Sequence, residues 1–187
     1  MSSRSHFYIG TVDISALKAQ LQDQSLYGKY NFRREFYASP HTSMTDIWVR
    51  YNKPEAIGEH FNDEHSSIWY PVIEQIPAVL PIVMQLMKAL DGERLGGVLI
   101  TKLPPGGKIE SHIDSGWHAG YYDKFYVAVQ NGEGSVFGFP DGEIKAKEGE
   151  VWQFDNSVPH WVENNSDTDR ISMIVCIRTL QRSLSEH

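Results

Sequence analysis

Half of this chain reads as strand after strand, and that density is what most limits its fold. Between residues 96 and 179 the apolar residues recur with a period of two. Turn residues such as Pro104-Pro105-Gly106-Gly107, Asn131-Gly132 and Asp141-Gly142 break the runs. The pattern predicts strands over residues 96–103, 108–114, 124–130, 134–139, 143–147, 150–154, 160–164 and 170–179. So many short strands in so little chain imply a sandwich or a closed barrel.

The first 91 residues mix both periods. Residues 7–12 and 45–51 read as strands. Asp13 is placed to cap a helix over residues 14–24, with Ile14, Leu17 and Leu21 on one face. A longer apolar stripe over 72–90 predicts a second helix, which Pro77 and Pro81 should kink or split and Asp91-Gly92 should end. The expected organisation is one domain over 1–187, with residues 1–91 as scaffold and 92–180 as the β core.

Within that core, His112 and Asp114 form H-x-D. Residues i and i+2 of a strand point to the same side, so imidazole and carboxylate can share one site. Together they are two of the three ligands of the 2-His-1-carboxylate triad that holds iron(II) with open positions. A third ligand should come from a later strand, where His160 lies, and Arg170 begins the last apolar strand ten residues on.

HIDSG, then KFYVAV, then GEVWQFDNSVPHWVENNSDTDRISMIV resembles the aspartyl/asparaginyl β-hydroxylase-like 2-oxoglutarate dioxygenases, a group that includes small free-proline hydroxylases. The likeness spans about residues 95–180. It implies a mainly β, cupin-like double-stranded β-helix (jelly roll) flanked by N-terminal helices. It implies an enzyme that uses Fe(II), 2-oxoglutarate and O2, with ascorbate as a stimulant, to hydroxylate a small amino acid or an amino-acid side chain, releasing succinate and CO2. By motif, His112, Asp114 and His160 match the catalytic metal ligands. Arg170 matches the arginine that pairs with the distal carboxylate of 2-oxoglutarate, and Thr101 a hydroxyl that assists it. Lys124 and Tyr126 stand where many members have arginine and histidine. The charge is kept at Lys124, but an ammonium is a point charge and not a fork. Asp114 departs from the animal transmembrane members, which lack this carboxylate.

Trp117, His118, Tyr121 and Tyr122 follow the first two ligands and are candidates for a lid over substrate. Trp48 and Arg50 are candidates to face the site from an outlying strand. Trp152 and Trp161 are expected in the barrel core, and Cys176 as a buried core thiol. His60 to His65 holds two histidines five apart, which do not share a helix face, so a solvated loop is expected. Two alternatives stay open: the same chemistry on a nucleobase or another metabolite, and a non-catalytic metal-binding sensor.

The net charge of −7 and the lack of a basic run argue against nucleic acid as partner. A small molecule or peptide is expected instead. One cysteine allows no internal disulfide. With no secretory signature at the N-terminus, a cytoplasmic location is expected.

Overall fold

A computed structural model of the protein describes residues 4–29, 39–56 and 62–185. The elements run β1 (His6–Thr11), α1 (Ser15–Gln20), β2 (Thr45–Tyr51), β3 (Ile68–Trp69), α2 (Val79–Ala89), β4 (Gly92–Leu103) and β5 (Lys108–His112). They continue with α3 (Trp117–Tyr121), β6 (Asp123–Gln130), β7 (Ser135–Phe139), β8 (Gly142–Ile144), β9 (Glu150–Phe154), β10 (His160–Asn164), β11 (Arg170–Thr179) and α4 (Leu180–Ser185). Among the described residues no helix is long and apolar enough to cross a membrane.

The strands form two antiparallel sheets. One has the order β1-β9-β6-β11-β4-β2-β3, the other β5-β10-β7-β8. Their facing sides share a core of Leu103, Tyr126 and Phe154 from the large sheet with Ile109, Phe137 and Val162 from the small one. This is the jelly roll expected from the sequence.

The central strands of the large sheet are buried on both faces, and strand alternation sorts their residues between them. On β11, Ile171, Met173, Val175 and Ile177 pack against the helices, together with Phe125, Val127 and Val129 of β6. The intervening Arg170, Ser172, Ile174 and Cys176 face the space between the sheets.

The second helix is split as expected, with Pro77 in the break. A short 3-10 turn over Pro71–Glu74 precedes α2. Pro81 sits in the first turn of α2, where an amide has no intrahelical acceptor to lose. Val79, Ile82, Val83 and Leu86 are the buried stripe. The first helix is shorter than the pattern predicts. Asp23 accepts the Ser25 amide at 2.9 Å and starts a 3-10 turn, Gln24–Leu26, ending the helical run. Trp161 is a correction. His160 and Val162 beside it line the interior, so Trp161 points outward, and its indole lies where a Cβ on Gly138 would stand 2.2 Å away.

Asn164 ties the two sheets together at the end of β10. It is fully buried. Its Nδ2 donates to the carbonyls of Leu103 on β4 (2.9 Å) and Thr168 (2.8 Å). Its Oδ1 accepts the hydroxyls of Ser135 (3.1 Å) and Ser166 (2.6 Å). Asn164→Leu would strand several buried polar groups at roughly 1–3 kcal/mol each. Urea unfolding should show a loss of about 3–5 kcal/mol; a loss below about 1 kcal/mol would mean these bonds do not hold the sheets together.

Candidate active site

The two histidines meet because their strands are neighbours in the small sheet. β10 pairs with β5 in a register that sets His160 directly opposite His112, and the ring centroids are 4.4 Å apart. Asp114 lies two residues past His112, beyond the end of β5, where its amide donates to the Asn156 carbonyl at 3.1 Å. The ligand atoms of the three side chains all lie within 4.8 Å of one another.

Both imidazoles are set in the same way. Nδ1 of His112 is 2.7 Å from the Glu110 carbonyl, and Nδ1 of His160 is 2.9 Å from that of Val158. A carbonyl only accepts, so each Nδ1 carries the proton and each Nε2 keeps a lone pair. The two Nε2 atoms face different oxygens of Asp114, at 3.7 and 3.9 Å. Tethering through the far nitrogen is what orients histidine ligands in metal centres. Burial lowers the His160 pKa, which favours the neutral ring a metal needs. Burial alone would raise the Asp114 carboxyl, but the Lys124 ammonium touching Oδ2 overrides it and holds the group below the usual carboxylate range.

The triad opens on a cavity of about 470 Å³ between the sheets. Its floor is built from rungs across the large sheet. Thr101 and Ser172 are paired on one rung. Trp48, Leu99, Ile174 and Tyr126 make the next. Cys176, Lys124 and Phe154 make the third. The floor thus runs from a polar end through an apolar middle to a cation beside the triad.

Arg170 occupies the polar end and is 3% exposed. Its guanidinium lies over the Tyr126 ring at 5.0 Å, and Nη1 donates to the Ser172 hydroxyl at 2.5 Å. Nε is buried without a hydrogen-bond partner. Among the described residues no carboxylate pairs with this guanidinium. A buried cation left so is costly unless an anion joins it. Thr101 is buried on the same wall, and its hydroxyl donates to Asp46 at 3.1 Å. Burial raises the Tyr126 hydroxyl pKa against the pull of Arg170.

The other sequence candidates divide. His118 and Trp48 line the cavity. Arg50 does not: the β2–β4 register shifts between Trp48 and Arg50, and the arginine turns to the Leu95 carbonyl (3.3 Å) and the Trp69 ring (5.2 Å). Trp117 and Tyr121 stack on each other at 4.7 Å off the cavity, with Arg178 4.2 Å over Tyr121. His60 and Phe61 of the expected polar loop lie outside the described residues, while His65 packs on His118. Cys176 is buried as expected, but on the cavity wall. Strand alternation from Arg170 could have found Ser172, Ile174 and Cys176. Nothing in the sequence marks His41, whose ring packs edge-on against His112 at 4.8 Å.

A family model described as aspartyl/asparaginyl β-hydroxylase matches residues 66–179, more than half of the chain. The chain belongs to the aspartyl/asparaginyl β-hydroxylase family. The triad and Arg170 fall within the stretch shared with this hydroxylase family, whereas β1, β2 and the cavity-lining His41, Trp48 and Tyr51 precede it. No curated protein matches the sequence. Among solved structures, the fold is similar to that of a prolyl hydroxylase from Trichoplax adhaerens solved with a hypoxia inducible factor peptide. That likeness has a TM-score of 0.61 and 13% identity over 99% of this chain and 89% of the other. A 2OG-Fe(II) oxygenase family protein from Burkholderia pseudomallei gives 0.54 and 13% over 97% and 98%. The viral collagen prolyl hydroxylase of Paramecium bursaria Chlorella virus-1, in its 2OG complex, gives 0.53 and 14% over 95% and 97%.

Proposed function

We propose that this hydroxylase is an iron(II)- and 2-oxoglutarate-dependent dioxygenase acting on a small amino acid or an amino-acid side chain. The observation that carries the reading is one cavity holding both a convergent His/Asp/His set and a buried arginine with no counter-anion among the described residues. The donor set fits iron(II): two neutral imidazoles and one carboxylate on one side, leaving the cavity side open. His112, Asp114 and His160 would hold the metal. Bound iron, with 2-oxoglutarate and dioxygen, supplies the oxidation that places one oxygen atom in a substrate C–H bond and the other in succinate, with loss of CO2.

The protein does the positioning. Arg170 offers a fixed planar fork to the distal carboxylate of 2-oxoglutarate, with Ser172 and the Tyr126 ring holding that fork in place. Leu99, Ile174 and Trp48 keep the middle of the cavity apolar and exclude water from the reacting carbon. Lys124 keeps Asp114 ionised as a ligand.

The test is succinate formation from 2-oxoglutarate with iron(II) and ascorbate, first alone and then with free amino acids, peptides and nucleosides. Succinate release stimulated by an amino acid or peptide is the expected result. No succinate under any condition, together with no binding of 2-oxoglutarate to metal-loaded protein, would sink the reading. With Asp114 filling the third protein position, no place is left for a halide. In chloride buffer the product should be the alcohol alone, and a chlorinated product by mass spectrometry would overturn this.

A further inference from the structure

One imidazole on the cavity wall is not accounted for by the metal or by the cosubstrate. His118, in α3, is 5% exposed and lines the cavity. Its Nε2 accepts the Gly97 amide at 3.1 Å. In the neutral ring the proton is then on Nδ1. No residue among those described takes that proton, and Nδ1 is not sealed within the protein.

The ring is held firmly for a side chain that uses one nitrogen. Tyr122 packs at 4.6 Å and Tyr51 at 4.7 Å, and His65 stacks nearly parallel at 5.5 Å. Gly97 makes the seat. A Cβ there would stand 2.9 Å from Tyr51 Cδ2 and 3.2 Å from His118 Cε1. Burial, then the nearby positive charge of Lys124 and the His65 ring, push its pKa down to about 3 against the pull of Asp114. The ring therefore stays a neutral donor at ordinary pH.

We propose that His118 is a substrate-orienting residue whose Nδ1–H takes a carboxylate oxygen of a free amino-acid substrate, on the side of the cavity next to Lys124. The inference rests on the reading given under Proposed function. Nδ1–H only donates, so its partner is an acceptor. The positive charge of Lys124 favours an anionic acceptor over a neutral one. Arg170, the other cation among the described lining residues, is taken by the cosubstrate. Holding a carboxylate at His118 turns the side chain of the amino acid toward the triad.

The probes are the twenty proteinogenic L-amino acids. The one that most stimulates succinate release is then compared with its carboxamide and its decarboxylated amine. Each is titrated calorimetrically into full-length protein loaded with manganese(II) and the inert analogue N-oxalylglycine, and KM and kcat are measured for the acid. His118→Phe should weaken binding of the acid about 10- to 100-fold, as expected for a lost hydrogen bond to a charged group. The amine should be weakened far less, and KM should rise more than kcat falls. His118→Asn, whose amide can donate from nearly the same place, should recover part of the preference for acid over amine. Gly97→Ala, which displaces the ring without removing it, should lower that preference and serves if His118→Phe does not fold. Equal weakening of acid, carboxamide and amine, or an unchanged preference in Gly97→Ala, would overturn the role of His118 and leave the hydroxylase reading standing. Turnover of 2-oxoglutarate that no free amino acid stimulates would overturn both the free amino-acid substrate and this inference.

Discussion

Replacing His112, Asp114 or His160 by alanine is expected to abolish iron-dependent turnover, a loss of more than about 100-fold. Disturbing the groups that merely orient a ligand already costs roughly 10- to 100-fold, and here one of three protein donors is removed outright. The two histidine variants should largely keep the fold, since both rings border the cavity; His160→Ala gives up ring contacts with Phe137, Phe139 and Phe154 and should be the less stable of the two. Asp114→Ala differs. It leaves the largely buried Lys124 ammonium without its carboxylate, so it should also lose stability, by about 1–3 kcal/mol. Asp114→Asn keeps the shape and an oxygen that can accept from Lys124 but not the charge, so it should lose turnover with a smaller loss of stability than Asp114→Ala. Iron(II) titration, succinate assay and circular dichroism on the same samples decide it. Full turnover in any one variant would remove that residue from the triad.

Arg170→Ala should weaken 2-oxoglutarate binding by roughly 10- to 150-fold, the range for a charge-assisted hydrogen bond of about 1.5–3 kcal/mol. Arg170→Lys should rescue partly at best, because an ammonium cannot make a planar two-point contact. Thr101→Ala should cost only about 2- to 12-fold. Its hydroxyl proton is directed at Asp46, which puts the effect toward the low end. The measurement is titration of 2-oxoglutarate into anaerobic iron-loaded protein, following the charge-transfer band. Stability should move the other way. A buried cation without a counter-anion opposes folding, and an apolar side chain of similar volume in its place is often neutral or stabilising. Arg170→Met should therefore melt no lower than wild type. A marked drop in melting temperature would show that the arginine serves the fold and not an anion, and an unchanged 2-oxoglutarate affinity in Arg170→Ala would move the anchor elsewhere, with Lys124 next.

The barrel was readable in the sequence because strands that face two environments alternate, and because glycine, asparagine and aspartate mark the turns between them. The i, i+2 spacing put His112 and Asp114 on one side, and order along the chain brought in His160. What could not be read was direction and distance. Trp117, His118 and Tyr121 adjoin the ligands in sequence, but a helix turns about 100° per residue. Only His118 of the three reaches the cavity. Arg50 shares a strand with Trp48, and a register shift between them sends it away. His41 reaches His112 from a segment remote in sequence, and no local pattern encodes such a meeting. Asn164 read only as the last residue of a predicted strand, because the bonds it makes across the sheets depend on their separation.

The division of labour along β11 bears on how such an enzyme can change. Residues 171, 173, 175 and 177 secure the helices, while 172, 174 and 176 shape the chamber. Substitutions at Ile174 and Cys176, and at Leu99 opposite Ile174, alter the chamber without touching the helix-facing set. New substrate preferences are therefore open to single mutations with little loss of thermal tolerance. For directed evolution, a small library at these three positions is the natural place to start.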